Sequence, residues 1–346
     1  MSKTLQDYAT LINDTIQSNE INHYITTDNM CQNLGGIDTF KNINIPQGKV
    51  RSFQKDDVLL SNIRLYFRKV YRAKQKGGCS SDVLVFRAKH IDSATLFAIL
   101  SSQIFTDYAC SGSQGSKMPR GNKTHMMDFK IPTINFTIAK IFNSIQNKIE
   151  NNHKINELLH TLAYKIYEYY FKYKPKNAKL EQIIIENPKS SIMVKNAQKT
   201  QDKYPFFTSG DNILSYPKAI IDGRNCFLNT GGNAGIKFYV GKASYSTDTW
   251  CICSNEFSDY LYLLLSSIKT HINQSFFQGT SLKHLQKNLL KKYPIYMPSV
   301  HEIKKFNQII MPLLTLISIN TRISKKLEQI RDFLLPLLLK QQVKPQ

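Results

Sequence analysis

The sequence predicts an α+β protein that is built twice, with two similar β-rich domains and two long helices that pair as an antiparallel coiled coil about an internal pseudo-twofold axis. Three observations lead to this prediction. QGSKMP at 114–119 recurs about 164 residues later as QGTSLK at 278–283, and CSSDVLVF at 79–86 recurs as YSTDTWCI at 245–252. Each copy ends in a long apolar stripe with helical spacing. The regions before the stripes contain short apolar runs that are typical of strands.

The pattern divides the chain into four segments. We expect the first domain at 1–132, a central spacer helix at 133–173, the second domain at 174–298 and a C-terminal spacer helix at 299–346. Within the two domains, runs such as VLLSNI, VLVF, NCFL and IKFYV are bounded by Gly, Asn, Asp and Ser, which indicates short strands. A short helix follows these strands in each domain.

The two stripes advance in steps of three and four, from Phe142 to Tyr173 and from Phe306 to Leu337. An apolar stripe sustained over four heptads indicates a coiled coil, in which each helix would be about 50 Å long. The alternative is a pair of amphipathic helices packed on separate cores. The predicted seam residues are Ile145, Asn156, Leu159 and Ile166 in the first helix, and Ile309, Asn320, Ile323 and Ile330 in the second.

Two polar residues interrupt the stripes at the same heptad position. Asn156 and Asn320 lie near the middle of their stripes, so an antiparallel pair with twofold symmetry brings them together. A hydrogen bond between two buried amides costs stability relative to Leu but penalises slipped registers. Pro312 in the second stripe lacks a backbone N–H, so we expect a kink or a later helix start there.

The chain is strongly basic, with a formal net charge of +21 and a pI near 9.6. Such an excess of charge destabilises a compact chain unless it faces a polyanion. A hydrophobic content of 42%, with 18 Tyr and 19 Phe, indicates folded cores and not a basic tail. The composition therefore favours a folded protein that binds nucleic acid.

We expect a cytoplasmic, reduced protein that is not embedded in a membrane. No apolar run approaches the roughly 18 residues that a spanning helix needs, and the N-terminal residues lack a signal-peptide core. Six cysteines in 346 residues do not make a disulfide framework. Cys251 and Cys253 are separated by one residue and no second pair follows, so we expect them to be buried strand residues and predict no metal site.

Cations, amides and hydroxyls are concentrated in the predicted loops of both domains. Lys and Arg can hold phosphates, while Asn, Ser and Arg can contact base edges. Asp82 and Asp248 recur in both copies, and a carboxylate that caps a turn explains them. The candidate DNA-binding residues are Arg64, Arg68, Lys69, Arg72, Ser80, Ser81, Lys117, Arg120 and Lys123 in the first domain, and Arg224, Asn225, Asn229, Asn233, Lys237, Lys242, Ser246, Thr247 and Lys283 in the second.

The sequence lacks the common catalytic and phosphate-binding motifs. It contains no G-x-G-x-x-G, no G-x-x-x-x-G-K-[ST] and no Asn-Pro-Pro-aromatic tetrapeptide. GGNAG at 231–235 is glycine-rich, but strand-like runs surround it and no predicted helix follows it. We therefore predict a binding protein with no catalytic residues and no cofactor of its own.

Several phrases resemble the specificity (S) subunits of Type I restriction-modification systems. In the first half these are DVLLSNIRLYFRKV, GGCSSDVLVFR and GSKMP; in the second half they are YPFFTSGDNI, AIIDGRNCFLNTGGNAG, YSTDTWCI and the ending LEQIRDFLLPLLLKQQV. The resemblance implies two target-recognition domains, each reading one half of a split site in double-stranded DNA. It implies that two antiparallel helices act as a spacer between them and as the docking surface for methyltransferase (M) subunits.

The resemblance also implies that the chemistry belongs to the partners. Two M subunits would carry S-adenosylmethionine, and restriction (R) subunits would use ATP. Two alternatives stay open at the level of the sequence. One is a basic RNA-binding or ribosome-associated protein, and the other is a DNA methyltransferase or nuclease with degenerate motifs.

Overall fold

The chain forms two compact units in a computed structural model. The first unit combines Met1–Glu150 with Lys326–Gln346, and the second unit is Asn151–Lys325. The structure describes residues 3–38, 43–131, 133–197, 203–210, 213–279 and 282–339. Two ends of the predicted segments lie outside these residues, namely 132 and 340–346. Parts of the repeated motifs also lie outside them, at 211–212 and 280–281.

The first unit contains two four-stranded sheets and short helices. Its strands are β1 (Ala9–Ile12), β2 (Thr15–Gln17), β3 (Tyr24–Ile25), β4 (Lys49–Phe53), β5 (Val58–Ser61), β6 (Val70–Arg72), β7 (Gly77–Cys79) and β8 (Val83–Ala88). Its short helices are α1 (Leu5–Tyr8), α2 (Ser93–Leu100), α3 (Gln103–Ser111) and α4 (Lys123–Met127). The main sheet has the order β1-β8-β5-β6 and is antiparallel throughout, while the smaller sheet has the order β2-β4-β7-β3.

A long helix, α5 (Phe136–Tyr167), follows and continues into a π-helical turn at Glu168–Lys172. The strands that come after it are β9 (Ala178–Lys179), β10 (Ile185–Glu186), β11 (Tyr204–Phe207), β12 (Leu214–Tyr216), β13 (Arg224–Asn229), β14 (Ile236–Val240), β15 (Ser244–Tyr245), β16 (Thr249–Cys253), β17 (Phe277–Gln278), β18 (His284–Leu285) and β19 (Pro294–Ile295). The helices are α6 (Ser258–Ser267), α7 (Lys269–Ser275), α8 (Lys287–Lys291) and α9 (Val300–Leu338).

The second unit repeats the topology of the first. Its main sheet, β10-β16-β13-β14, is antiparallel and takes the same order as β1-β8-β5-β6 when strands are matched by position in the repeat. The smaller sheets correspond as well, since β3 runs parallel to β7 and β11 runs parallel to β15. In each unit a short apolar helix, α2 or α6, is buried against the main sheet. The predicted α+β fold with an internal repeat is confirmed.

The two long helices begin at different caps. The side chain of Asn135 accepts a hydrogen bond from the N–H of Ile138 at 3.1 Å at the start of α5. At the equivalent start of α9, Ser299 and Glu302 form a capping box, with their side chains accepting each other's backbone N–H at 3.3 and 2.8 Å. The helix α9 continues through Pro312, so the later start considered from the sequence does not occur.

The helices pair antiparallel within each unit. In the second unit, Asn152 donates to the hydroxyl of Ser324 at 3.2 Å, and Asn320 donates to the Oδ1 of Asn156 at 3.0 Å. The number of the α9 partner falls as the number of the α5 partner rises, which defines an antiparallel pair. The predicted contact between Asn156 and Asn320 is therefore present.

The predicted seam of α9 needs a correction. Ile309, Ile323 and Ile330 are exposed, although the apolar spacing predicts them in the seam. The buried positions lie about one residue further along and include Ile310, Leu314, Ile317, Ser324 and Arg331. On α5, the predicted Ile145, Leu159 and Ile166 are half-buried. A buried polar residue is stable when its hydrogen bonds are made, so following only the apolar residues selected the wrong face of α9.

Cys251 is buried in β16 and Cys253 is half-buried two residues later. Burial raises the pKa of the Cys251 thiol. Within the part of the chain that the structure describes, no group of three or more His, Cys, Asp or Glu is arranged to hold a metal ion. None of the helices among the described residues is long and apolar enough to span a membrane.

Candidate nucleic-acid interface

Three segments of the first unit meet at one end of its main sheet. We call this end the first rim; its segments are residues 62–64, 80–82 and 114–120. Main-chain hydrogen bonds join them, because the N–H of Asn62 donates to the carbonyl of Asp82 at 2.8 Å and the N–H of Arg64 donates to the carbonyl of Pro119 at 2.9 Å. The three segments therefore form one connected surface.

The second unit builds the same surface from equivalent residues. We call it the second rim; its segments are residues 230–232, 246–248 and 278–284, of which 280 and 281 lie outside the described residues. The N–H of Thr230 donates to the carbonyl of Asp248 at 3.2 Å, and the N–H of Gly232 donates to the carbonyl of Lys283 at 2.9 Å. Both bonds reproduce those of the first rim, so the sequence repeat brings together the same three segments twice.

An asparagine packs tightly against a glycine at each rim. A Cβ atom at Gly121 would lie 2.9 Å from the Oδ1 of Asn62, and one at Gly235 would lie 2.3 Å from the Nδ2 of Asn229. The side-chain oxygens of both asparagines are buried and have no hydrogen-bond partner in the protein. Buried polar atoms without a partner are uncommon, so these two oxygens mark the rims as sites where packing alone does not explain the residue choice.

Several predicted residues lie exposed on the first rim or next to it. Ser81, Lys117 and Arg120 are exposed on the rim, and Lys123 is exposed at the start of α4. Arg120 holds the carboxylate of Asp82 at 3.0 Å, so Asp82 orients a rim cation instead of only capping a turn. Four polar side chains are thus available to a ligand at this end of the sheet.

Ser80 and Arg64 also belong to the first rim but are half-buried. Arg64 adopts a left-handed backbone conformation, with a φ of 50°, and its guanidinium donates to the carbonyl of Lys117 at 3.4 Å. Arg64 binds the main-chain carbonyl of Lys117, and the side chain of Lys117 is exposed. Arg64 therefore supports the rim in addition to contributing charge.

The second rim and its neighbouring residues expose a similar but smaller set. Lys283 is exposed on the rim, Asn233 is exposed directly after it, and Thr247 is half-buried. The ammonium of Lys237 donates to the carbonyls of Thr208 and Gly210 at 2.7 and 2.6 Å, so it anchors the neighbouring loop.

Two other predicted residues, one on the second rim and one directly before it, are buried. Ser246 has no exposed surface and shares a hydrogen bond of 3.0 Å with the hydroxyl of Thr249. Asn229 is buried with its amide nitrogen bonded to the carbonyl of Asn233 at 3.1 Å. Both side chains are buried and bonded within the protein, so they are not exposed to a ligand in this structure.

The structure directs Arg68 and Lys69 inwards. The guanidinium of Arg68 donates to the carbonyl of Ser101 at 2.9 Å, and burial lowers its pKa. The ammonium of Lys69 donates to the carbonyl of Thr27. Both cations bind carbonyl oxygens of their own unit, so we omit them from the proposed interface.

Four predicted residues lie at the other end of the main sheets. Arg72 ends β6 with its side chain 3.8 Å from Asp56. Arg224 begins β13 and is held by Asp259, Asn225 beside it is buried, and Lys242 is exposed beyond β14. The sequence pattern cannot tell one end of a strand from the other, because both ends are followed by polar loops.

Further residues, which the sequence pattern did not indicate, lie on or beside the rims. Lys195 is exposed in the loop before β11, which reaches the second rim through a hydrogen bond of 3.0 Å from the N–H of Thr247 to the carbonyl of Ile192. Met118 and Leu282 are large apolar residues that are exposed on the two hairpins. Their equivalent positions in the repeated motif were a usable signal.

The chemistry of the rims suits a nucleic acid. Ammonium and guanidinium groups bind phosphate oxygens, and exposed amides and hydroxyls can hydrogen-bond with base edges. The rims carry these groups on short turns that backbone hydrogen bonds hold in place.

Residues 176–329 match the family model for the Type I restriction modification DNA specificity domain. This segment is similar to that domain family. The matched residues include the second rim, β10 to β19 and most of α9. The resemblance found in the sequence is thus confirmed for residues 176–329.

One solved structure has a similar fold over nearly the whole chain. The S subunit of a Type I restriction-modification system from M. genitalium is 13% identical, with 99% of this chain and 96% of that chain aligned at a TM-score of 0.64. The HsdS subunit from Thermoanaerobacter tengcongensis is 13% identical, with coverages of 98% and 96% and a TM-score of 0.37. A chain from a study of assembly and conformational transition of the type I R-M system is 12% identical, with coverages of 98% and 97% and a TM-score of 0.37.

At these identities the likeness concerns the fold, and the M. genitalium S subunit carries that conclusion. The first unit lies largely outside the matched family region, but it shares the aligned fold and the rim. No curated protein is significantly similar to the chain.

Proposed function

We propose that the chain reads a bipartite DNA site for a Type I restriction-modification complex, with one rim contacting each half of the site. The observation that supports this proposal is the duplication of the rim. The main-chain hydrogen bond from Arg64 to Pro119 in the first unit has an equivalent from Gly232 to Lys283 in the second. Discrimination between sites grows with the number of base pairs read, and two linked readers add their discrimination. Segments 1–132 and 174–298 are the proposed target-recognition domains.

The proposed role is recognition without catalysis. The methylation and cleavage chemistry would come from methyltransferase and restriction subunits, with two methyltransferase subunits for two half-sites. A duplicated reader offers each of them an equivalent surface.

The long helices supply a surface for such partners. In the second unit α9 exposes Ile309, Leu316, Ile319 and Ile323, and α5 exposes Ile155, Leu158 and Leu162. Ile309, Leu316 and Ile323 repeat every seven residues, which is the spacing that a partner helix buries in a coiled-coil contact. We therefore assign this outer stripe, and not the inner seam, to docking of a methyltransferase subunit.

A domain exchange tests the bipartite proposal. Residues 1–132 are replaced by the same region of a related S subunit, and the hybrid is expressed with the methyltransferase of this system. Sequencing of methylated bases should show that one half of the recognition sequence changes while the other half and its methylation persist. A change in both halves, or in neither, would contradict the assignment of one half-site to each domain.

The rim cations should supply affinity for DNA of any sequence. Replacing Lys117, Arg120 and Lys123 together by Gln should flatten the slope of log association constant against log salt concentration by about 2.7, because each phosphate contact contributes about 0.9. Fluorescence anisotropy with a duplex of random sequence measures the slope.

A matched control removes the same charge from the other end of the sheets. The exposed Lys55, Lys76 and Lys89 serve for this purpose, and their replacement by Gln should leave most of the slope intact. Equal slopes for the two triple variants would show that the rim does not face the DNA. Competition between duplex DNA and RNA in the same assay separates this proposal from an RNA-binding function.

A further inference from the structure

The two hairpins place one large apolar side chain each at an exposed tip. Met118 is 54% exposed and Leu282 is 57% exposed. Both stand four residues after the glutamine of the repeated Gln-Gly pair, Gln114 in one copy and Gln278 in the other. A single exposed apolar residue is ordinary on a protein surface, but the same exposure at the same position of two diverged copies needs an explanation.

Backbone pairing closes the base of each hairpin. Two main-chain hydrogen bonds of 2.9 and 2.8 Å close the first hairpin between Gln114 and Arg120, and Gln278 pairs with His284 in the second. Gly115 and Gly279 turn the chain with φ angles of 95° and 143°. These angles lie in the region that favours glycine, so both copies use the same means to make the tight turn.

Basic residues lie beside both apolar tips. Lys117 precedes Met118 and Arg120 lies two residues after it, while Lys283 follows Leu282. An apolar side chain beside charged groups is unfavourable for a buried protein contact, since the charges would lose their hydration. It suits duplex DNA, where phosphates pair with the cations and the base stack accepts the apolar group.

We propose that Met118 and Leu282 act as wedges that enter the base stack, one in each half-site, and open it next to the base that the complex modifies. This inference rests on the proposed function and adds a positioning role to it. A base inside a duplex is out of reach of a modifying enzyme and has to be extruded, and an apolar side chain that fills the gap favours the extruded state. The rims would thus prepare the base as well as read its neighbours.

The test measures base unstacking directly. A duplex pool with a random central region is first selected on the full-length wild-type chain. Duplexes of the selected sequence are then made with 2-aminopurine at each adenine in turn, and its fluorescence rises when the base leaves the stack. We expect wild-type protein to raise the signal at one position in each half. Met118→Ser should abolish the rise in one half only, and Leu282→Ser should abolish it in the other.

Four further variants make the outcome specific. Met118→Leu and Leu282→Met keep the apolar bulk and should keep the rise. Ile104→Ser and Val300→Ser replace exposed apolar residues away from the hairpins and should also leave it unchanged. The fluorescence of Trp250 and the circular dichroism of each variant confirm that it is folded.

The outcomes separate the wedge from the proposed function. Failure to select any duplex would count against DNA reading itself. Selection without a fluorescence rise, or a rise that persists in Met118→Ser and Leu282→Ser, would overturn the wedge and leave DNA reading in place. Loss of methyltransferase binding in the two serine variants, with the rise retained, would show that the tips contact protein.

Discussion

The two units share a topology but differ in how they pack the end of the helix pair. In the first unit the buried Arg331 donates to the Oε1 of Gln146 at 3.0 Å, and both side chains also bond to loop carbonyls. The equivalent positions in the second unit hold Tyr167 and Ile310, which are buried in an aromatic and aliphatic core. The same pair of positions is polar in one unit and apolar in the other.

This difference shows that two copies of the same backbone fold can have core residues of different polarity. A buried polar pair is compatible with the fold when its hydrogen bonds are made, and an apolar pair is compatible when the space is filled. In the first unit the bonds are completed by the carbonyls of Asn33 and Leu34, which adopt left-handed backbone conformations with φ angles of 53° and 61°.

Buried ion pairs show a second contrast. In the first unit Arg87 binds Asp57 through two bonds of 2.8 Å, and in the second Arg224 binds Asp259 through both carboxylate oxygens. Both carboxylates are buried, at 2% and 1% side-chain exposure, but the arginine side chains are 35% and 16% exposed. Burial raises the pKa of Asp259, and the bonds from Arg224 oppose that shift.

The largest expected effect comes from removing Arg224. Arg224→Ala leaves a buried carboxylate without a partner, and we expect the second unit to lose about 3–5 kcal/mol of its free energy of unfolding. Trp250 is the only tryptophan of the chain and lies in β16 of the second unit, so its fluorescence in a urea titration follows this unit.

The matched change in the first unit sharpens the comparison. Arg87→Ala should cost less than Arg224→Ala, because water reaches the site of the more exposed Arg87 and can solvate Asp57. The Trp250 transition should stay where it is in the wild-type protein, while hydrogen exchange reports the loss in the first unit. A shift of the Trp250 transition by Arg87→Ala would show that the two units do not unfold separately.

The asparagine pair between the helices should give a smaller effect of opposite sign. The double change Asn156→Leu with Asn320→Leu should raise the free energy of unfolding of the second unit by about 1 kcal/mol, because two apolar side chains replace two amides in the seam. It should also loosen the preferred gap between half-sites, since the amides penalise slipped registers. Thermal denaturation followed by circular dichroism, and methylation of sites with varied gaps, provide the measurements.

The single variant Asn156→Leu is the control for this pair. It removes one partner and leaves the amide of the buried Asn320 facing an apolar group, so it should be less stable than the wild-type protein by about 1–3 kcal/mol. A double variant that is less stable than this single variant would exclude the interpretation that the pair trades stability for register.

The smallest expected effect concerns the cap of α9. The hydrogen bond from Lys174, followed by the backbone bond from Ser299, lowers the pKa of Glu302 to about 2 from an ordinary value of 4.5. A carboxylate with a lowered pKa stabilises the fold fully above pH 4.5, and this contribution is lost as the pH falls through 2. We expect Glu302→Gln to cost the second unit about 1 kcal/mol at pH 7.

The pH dependence distinguishes the cap from a general loss of charge. The difference between wild type and Glu302→Gln, measured through Trp250, should shrink as the pH falls towards 2. The exposed Glu181→Gln in the same unit is the control and should leave stability near the wild-type value at pH 7. A difference that is constant from pH 7 to pH 2 would rule out the charged cap. We expect no pH dependence of this kind at the equivalent position of the first unit, because α5 has Ile138 where α9 has Glu302.

The sequence by itself determined the repeat, the two long helices and the meeting of Asn156 with Asn320. Each of these follows from local periodicity or from symmetry. A period of three and four residues indicates an amphipathic helix, and a twofold repeat of antiparallel helices pairs its middle residues. The net charge favoured a nucleic-acid partner, and the resemblance of the repeated motifs to S subunits indicated DNA; both are properties of the chain as written.

Only the tertiary structure decided which side of α9 faces α5. Ser324 and Arg331 are buried because Asn152 and Gln146 provide hydrogen-bond partners, and the apolar Ile323 and Ile330 are left exposed. The same reason explains why Arg68 and Arg224, which were predicted to bind DNA, make internal contacts instead. Whether a polar side chain is buried or exposed depends on hydrogen-bond partners that are distant in sequence. Only the folded structure therefore assigns Arg68 and Arg224 to internal contacts, and Lys117 and Arg120 to the rim.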